Sequence, residues 1–344
     1  MLYSQEGSSF YLLSLRGHSK AKKSGSSRPS SSGYGSLDHT SDLNSTILPS
    51  SRESLTKSLE NLNLDSLESP KSKRRCFEIS TFELEDIESG YWSDSQAEDR
   101  DYYVKLATKD DEDGDTMLFI KIIHKETKQV LEIINNLPTI EPLHRHNLLR
   151  QSALHLSVLT DNPDVTRRLV VAGADVCRRD RLGNTPLHIA CIHGFAESAK
   201  SLITPIRYSE ARKNRYKIPY QQIPQDTEIR NFDGLTCLLL ALQQMHTIVA
   251  GLLIEIDADI NAVDLKSGKT ALHIAAENGR REIVEYILKR TGVKLNAGNY
   301  AGYTPAELAQ YKGHTRCLNV LLVHGADSPR PLPHESWDSD DDSD

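Results

Sequence analysis

The segment NTPLHIACIHG, residues 184–194, decides the fold, because it has the pattern of a capped helix that ends in a turn. Thr185 can accept a hydrogen bond from an unpaired backbone N–H at the start of the helix. Pro186 suits the first helical position, where its missing N–H costs nothing. Gly194 suits a turn that needs a positive φ, since glycine has no Cβ to clash there. The segment therefore predicts a short helix followed by a turn into a second helix.

The same pattern recurs four more times between residues 152 and 309. The related segments are SALHLSV, KTALHIA, YTPAELA and the weaker LTCLLLA, whose leading Ser or Thr stands at residues 152, 270, 304 and 236. Together with Thr185, these positions lie 33, 51, 34 and 34 residues apart. A Gly-Ala-Asp or Asp-Ala-Asp group begins 21 residues after three of them. Self-similarity at about 33 residues with a T-P-L-H segment is the signature of ankyrin repeats.

These repeats predict an all-α fold, an ankyrin-repeat solenoid of about six repeats. The opening repeat begins near residue 113, because Thr116 lies 36 residues before Ser152. One repeat cannot cover its own apolar face, so the repeats must stack, and the last one, residues 300–327, is predicted to be the least stable. The 51-residue step contains an insertion, residues 204–228, which is basic and carries tyrosines. It fits either a tolerated surface loop or a contact with a partner.

Composition divides the chain into three parts. Residues 1–110 are rich in Ser and charged residues and poor in apolar ones, so they are predicted to be a disordered, signal-receiving regulatory region. Residues 111–330 are the predicted ankyrin domain, and residues 331–344 are a short acidic tail. The net charge of −7 disfavours direct nucleic-acid binding by the whole chain.

Cysteine usage and hydropathy indicate a protein of a reducing compartment without a membrane partner. The five cysteines form no C-x-x-C pair. We find no apolar run long enough to span a bilayer, and the first residues lack the charged region of a signal peptide.

The sequence predicts a binding protein, with no catalytic, cofactor-binding or metal-binding residues. It contains no G-x-S-x-G, P-loop or H-E-x-x-H motif. His188, Cys191 and His193 form H-x-x-C-x-H, which resembles a fragment of a metal site. His188 is the repeat histidine, however, matched by His155 and His273. A local hydrogen bond within the turn is therefore the favoured interpretation.

The array, the Ser-rich head with a paired-serine motif and the acidic tail together resemble the IκB family, which includes the insect protein Cactus. DEDGDTMLFIKIIHKE, residues 111–126, is similar to the family's first repeat, and RLGNTPLHIACIHG, residues 181–194, is similar to its third. The resemblance implies a cytoplasmic inhibitor whose array binds a Rel/NF-κB homology-domain dimer. A nuclear IκB-like transcriptional coregulator or a generic ankyrin-repeat scaffold is the alternative, although nuclear relatives tend to lack the paired serines and the acidic tail.

The resemblance also implies a role for the acidic tail. In the family this segment approaches the Rel surface that would bind DNA. Carboxylates here could compete with phosphate for the basic residues of Rel. The candidate residues are Asp338, Asp340, Asp341, Asp342 and Asp344. The alternative is a tail that only aids solubility.

The family is degraded through a D-S-G-x-x-S motif, which an IκB-type kinase phosphorylates and an SCF-type ubiquitin ligase reads. Two segments have this spacing: ESGYWS, with Ser89 and Ser93 and with Glu in place of Asp, and SSGYGS, with Ser32 and Ser36 and with Ser in place of Asp. The acidic residue before the first serine favours the former pair. Candidate ubiquitin acceptors lie nine to twelve residues before the latter pair, and farther before the former: Lys20, Lys22 and Lys23, and then Lys71 and Lys73. Both matches could also be chance pairs in a Ser-rich segment.

Two further features bear on localisation. A nuclear-export spacing, L-x-x-x-L-x-x-L-x-L, is formed by Leu55, Leu59, Leu62 and Leu64. The alternative is a short amphipathic helix without a transport role. The basic segment KSKRR, residues 71–75, fits a nuclear-localisation patch. We therefore predict a cytoplasmic protein, with shuttling through the nucleus left open.

Overall fold

The computed structural model of the chain describes residues 95–111, 114–218 and 223–330. Within these ranges the chain forms fourteen α-helices and no β-strand. A 3₁₀ helix, Glu141–His144, lies in the loop between the third and fourth helices. The helices are α1 Ser95–Thr108, α2 Met117–Ile123, α3 Thr127–Asn136, α4 Ala153–Leu159, α5 Pro163–Val171, α6 Pro186–His193, α7 Ala196–Ile203, α8 Tyr208–Ala211, α9 Cys237–Gln243, α10 Thr247–Glu255, α11 Ala271–Glu277, α12 Arg281–Leu288, α13 Pro305–Tyr311 and α14 Thr315–Val323.

Twelve of these helices form six pairs, and each pair is one repeat. The pairs are α2–α3, α4–α5, α6–α7, α9–α10, α11–α12 and α13–α14. The first helix of each pair packs on the first helix of the next pair, and the second helices pack on one another in the same way. The shared core includes the repeat leucines Leu154, Leu187 and Leu272, all buried. The predicted all-α solenoid of six helix pairs is confirmed.

The predicted residues that begin and end the first helix of a repeat are confirmed. Thr185 caps α6 by accepting from the backbone N–H of His188 at 3.4 Å, and Thr304 caps α13 by accepting from that of Glu307 at 3.3 Å. Gly194 follows α6 in the left-handed region, with a φ of 75°. A residue with a Cβ would be strained there. The T-P-L-H segment therefore sets where the first helix begins.

Two of the three repeat histidines, His155 and His273, join one repeat to the next, whereas Nε2 of His188 has no hydrogen-bond partner in the part of the chain that the structure describes. In His155, Nδ1 accepts from the backbone N–H of Ser152 at 3.2 Å, and Nε2 donates to the carbonyl oxygen of Asn184 in the next repeat at 3.1 Å. His273 makes the same two bonds, at 3.1 and 3.0 Å. Burial lowers the pKa of both imidazoles. Both rings are therefore neutral at pH 7, so one nitrogen can accept while the other donates.

The structure corrects the predicted boundary of the regulatory region. Residues 95–108 form α1, which packs against α2, α3 and the 3₁₀ helix. Tyr103, Leu106 and Ala107 contact the core, and the Tyr103 hydroxyl donates to Glu132 at 2.8 Å. The acidic composition of this segment favours a prediction of disorder. Its apolar residues nevertheless lie three and four positions apart, so they share one face of a helix. Disorder was therefore wrongly predicted for residues 95–110, and α1 covers the exposed side of the first repeat.

The last repeat contributes less to the core than the others. Only Cys317 and Leu321 are buried in α14, whereas α10 buries six residues. Val323 is 84% exposed, because no further repeat follows within the described chain. This difference is the structural basis for expecting lower stability in the sixth repeat.

Candidate protein-binding surface

Each loop between successive repeats presents one exposed apolar side chain at its tip. These side chains are between 49% and 71% exposed, and we call them the fingertip row: Leu148, Leu182, Phe232, Leu265 and Tyr300. Single exposed apolar residues are common on soluble proteins. A row with one member in every loop is a continuous feature of the whole array, and such a feature marks a candidate surface for another protein.

The shape of each loop is set by an Asn or Asp that comes one or two residues before the tip. The Asp180 carboxylate accepts from the backbone N–H groups of Leu182 and Asn184, both at 2.8 Å. The Asn231 side-chain oxygen accepts from Asp233 and Leu235, both at 3.1 Å. Such bonds hold a tight turn without a regular strand. The equivalent residues in the other loops are Asn147, Asp264 and Asn299.

These turn residues were missed in the sequence analysis, although the signal was present. An Asn or Asp stands five or six residues before the leading Ser or Thr of repeats two to six. Read beside the T-P-L-H pattern, this second periodic signal would have located the loops and their tips.

Successive loops stack closely along the fingertip row. Gly183 has a φ of 77°, and a Cβ added there would lie 2.6 Å from the ring of Phe232. A Cβ on Gly268 would lie 2.5 Å from Tyr300. The Tyr300 N–H also donates to the carbonyl oxygen of Ser267 at 3.0 Å. Glycine is therefore required where the next loop presses on the backbone.

The row stays continuous through the fourth repeat, where the sequence departs most from the pattern. Cys237 and Leu239 replace the usual Pro and His, and both are buried. Thr236 still caps α9, accepting from the N–H of Leu239 at 3.5 Å. The Phe232 N–H donates to the carbonyl oxygen of Leu182 at 3.1 Å, so the insertion does not separate these two loops.

The H-x-x-C-x-H segment is part of the repeat's own packing. His188 Nδ1 lies 2.7 Å from the hydroxyl of Thr185, so the predicted local hydrogen bond is confirmed. Cys191 is buried, and the ring of His193 stacks on Phe195 with centroids 5.4 Å apart. In the part of the chain that the structure describes, no cluster of His, Cys, Asp or Glu could hold a metal ion. No helix there is long and apolar enough to cross a membrane.

The remaining predicted site residues lie outside the described ranges. These are the paired serines, the candidate ubiquitin acceptors and the export leucines of residues 1–94, and the aspartates of residues 331–344.

Comparison with known proteins first defines the class. The family described as "Ankyrin repeats (3 copies)" matches residues 118–217, 210–299 and 263–330. The helix pairs, their capped first helices and their stacked loops agree with this match. The chain is an ankyrin-repeat protein.

Individual relatives then define the family. The chain is similar to the B-cell lymphoma 3 protein homolog of Mus musculus, with 35% identity over 227 residues, which are 65% of this chain and 47% of that protein. It is similar to NF-kappa-B inhibitor cactus of Drosophila yakuba, with 32% identity over 243 residues, which are 67% of this chain and 49% of that protein. The chain thus spans about half the length of these relatives.

A solved structure adds to this assignment. The ankyrin repeat domain of Bcl-3, described as "a unique member of the IkappaB protein family", is 34% identical, with a TM-score of 0.53. The match covers 63% of this chain and 89% of that one. The chain belongs to the IκB family of ankyrin-repeat proteins.

Proposed function

We propose that the array binds a Rel/NF-κB homology-domain dimer through the fingertip row and holds it inactive in the cytoplasm. The observation that carries this proposal is the continuous apolar row on a chain of the IκB family, whose relatives include proteins named NF-kappa-B inhibitors. Repeats stack about 10 Å apart, so five loops extend over roughly 40 Å. That length suits an interface of standard size, which buries about 1,600 Å².

A binding measurement with the purified chain and a Rel-homology dimer tests this proposal. Replacing Phe232 and Tyr300 together by Ala should weaken binding by about tenfold or more, because truncated aromatic anchors dominate interface energetics. Tyr208→Ala is the matched control, since this exposed tyrosine lies in the insertion, away from the row. Equal affinities for the two variants, with unfolding curves unchanged, would contradict the proposal. A chain ending at Arg330 tests the acidic tail in the same assay, and unchanged affinity would remove its proposed role.

Release by degradation is the second part of the proposed function. Phosphorylation of two serines adds about −3 to −4 charges, which an Arg-lined pocket of an SCF-type ubiquitin ligase can bind. The motifs of residues 88–93 and 31–36 support this step. We expect S89A/S93A to lengthen the half-life of the protein after stimulation, with S32A/S36A as the matched comparison. If neither pair changes the half-life, degradation through these motifs is excluded.

A nuclear IκB-like coregulator is the second candidate, favoured by the basic segment of residues 71–75. Cell fractionation separates the two functions. The inhibitor should leave the cytoplasm only when nuclear export is blocked, whereas a coregulator should be nuclear at rest.

A further inference from the structure

Each loop at the start of a repeat presses on the next loop at one fixed pair of positions. The first position lies three or four residues after the turn Asn or Asp, and the second directly follows the turn residue of the next loop. Four of these pairs join a glycine to an apolar tip, and a Cβ added to the glycine would lie between 2.5 and 3.2 Å from that tip. The pairs are Gly114 and Leu148, Gly183 and Phe232, Gly234 and Leu265, and Gly268 and Tyr300.

The pair between the loops of the second and third repeats departs from this pattern at both positions. Arg150 takes the place of the glycine, because its N–H donates to the carbonyl oxygen of the turn residue Asn147 at 2.9 Å. Its φ is 59°, in the left-handed region that favours glycine. Arg181 takes the place of the apolar tip, since it directly follows Asp180 and its N–H donates to the carbonyl oxygen of Leu149 at 3.1 Å. Two arginines therefore occupy the positions where the other pairs have a glycine and an apolar side chain.

The pairing of Arg150 with Arg181 is more informative than the backbone conformation of Arg150. Left-handed residues that carry side chains also occur in the turns within repeats, at Lys125, Asp161 and Met245. Two like charges at neighbouring positions repel each other. An anion bound between them would remove that repulsion, so the pair has the chemistry of an anion site.

Arg179 adds a third cation beside this pair. All three arginines are exposed, and we call Arg150, Arg179 and Arg181 the arginine site. The acidic residue between two of them, Asp180, is 4% exposed, and its carboxylate accepts from two N–H groups of its own loop. Asp180 therefore holds the turn and is not presented at the surface.

No ion pair within the described ranges neutralises the arginine site. The two loop segments, residues 143–151 and 176–184, contain no acidic residue apart from Asp180. The arginines that do form ion pairs lie elsewhere or are already matched, as Arg145 is with Asp110. The arginine site is therefore a local concentration of positive charge on a chain whose net charge is −7.

Cations in the later loops are engaged within the array. Arg230, which precedes its turn residue as Arg179 does, donates to two backbone carbonyl oxygens at 2.7 and 2.6 Å. Lys266 forms an ion pair with Asp233 of the preceding loop, with an N–O distance of 2.5 Å. The loops thus differ in charge along the array, with the arginine site toward its N-terminal end.

We propose that the arginine site binds carboxylates of the Rel/NF-κB homology-domain dimer that the fingertip row contacts. This inference rests on the proposed function and adds a chemical requirement, namely an acidic surface on the dimer opposite the second and third repeats. Arginine suits this role because its planar guanidinium can donate two parallel N–H bonds to one carboxylate. The site is continuous with the row, since Arg181 holds the tip position of the third loop. Ion pairs at one end and apolar contacts at the other would orient the dimer along the array.

A nucleic acid suits the site less well than a protein that carries carboxylates. Proteins that bind duplex DNA tightly make roughly six to ten phosphate contacts, and the site offers three cations. The adjacent tips, Leu148 and Leu182, are apolar. The negative net charge of the chain would also repel a long polyanion.

Binding of full-length R150G/R181L to a purified, phosphatase-treated Rel-homology dimer tests the proposal. These substitutions supply the glycine and the leucine that other loops carry at these positions, so they remove two cations without a new steric demand. We expect binding to weaken by about tenfold at low salt, and the difference from the wild type to shrink at high salt. The matched control is R212A/R316A, which removes two exposed arginines away from the loops. Because glycine relieves the left-handed backbone, R150G alone should bind more weakly without a lower unfolding temperature.

The possible results separate this inference from the proposed function. Unchanged or tighter binding of R150G/R181L, with F232A/Y300A still weakened, would overturn the arginine site and leave the proposed function standing. Absence of any binding by the wild type would overturn both. Equal losses in R150G/R181L and in its control would mean attraction to bulk charge and would overturn the site.

Two further arms identify the anion. If R150G/R181L weakens binding only to a dimer that has not been treated with phosphatase, the ligand is a phosphate and the carboxylate assignment is overturned. Tighter binding of a labelled DNA duplex than of the dimer, lost in the same variant, would assign the site to nucleic acid and would also overturn the proposal.

Discussion

Replacing His155 by Leu should destabilise the array measurably. The imidazole satisfies two buried backbone groups, the N–H of Ser152 and the carbonyl oxygen of Asn184, at 3.2 and 3.1 Å. Leucine fits the space, because Leu239 occupies the equivalent position of the fourth repeat and is buried. The expected loss therefore comes from a lost polar contact rather than from overpacking. The N–H of Ser152 is left unsatisfied, whereas the carbonyl oxygen of Asn184 still accepts from the N–H of Asp180 at 2.9 Å. One unsatisfied buried group should lower the free energy of unfolding by about 1–3 kcal/mol.

Guanidinium unfolding followed by far-UV circular dichroism measures this loss. His324→Leu is the control, since His324 is exposed, directly follows α14, and its ring bonds to the carbonyl oxygen of Val320 one turn earlier. Such a surface change should stay within about 0.5 kcal/mol. If His155→Leu also stays within that range, the bond from His155 to Asn184 does not stabilise the array. A changed slope of the unfolding curve would instead indicate that the cooperative unit has broken.

Three further outcomes are expected. Stability should decrease as pH falls below about 6.5, because burial lowers the pKa of His155 and His273, so the unfolded chain binds protons before the folded one. Unfolding curves measured from pH 7 downwards would show this decrease, and an equal free energy of unfolding at pH 7 and at the lowest pH would contradict it. Hydrogen exchange should be fastest in α13 and α14, since α14 buries only Cys317 and Leu321; uniform protection across the array would exclude it. Deleting residues 1–108 should lower the unfolding temperature relative to deleting residues 1–94, because α1 covers the first repeat; identical temperatures would show that α1 does not act as a cap.

The repeat architecture could be predicted because each signal is local. Thr185, Pro186 and Gly194 act within one helix and its turn, so spacing alone places them. The loops could be predicted only in part, since Asn231 forms its turn locally but Phe232 is positioned by the preceding loop. The helix α1 could not be predicted for the same reason, because its apolar face packs against the first repeat, which is a contact between separate parts of the sequence.

The insertion could not be assigned from sequence for a different physical reason. Asn214 and Tyr216 bind the backbone carbonyls of Val171 and Ala172, at the end of α5 and just after it. Every residue has a backbone carbonyl, so the sequence alone does not show which one a side chain will bind. The basic residues were visible in the sequence, but which of them faces solvent depends on those anchors.

The fourth repeat shows which part of the pattern the candidate surface needs. It lacks the usual Pro and His, yet Phe232 keeps its place because Asn231 closes the turn and the Phe232 N–H binds Leu182. The T-P-L-H signature therefore reports how a helix is capped and joined to its neighbour, not whether a loop can contribute to binding. The Asn and Asp turn residues, rather than the signature, determine whether the loop presents its tip. A weak signature is thus compatible with an intact fingertip row, provided that the turn residue before the tip is retained.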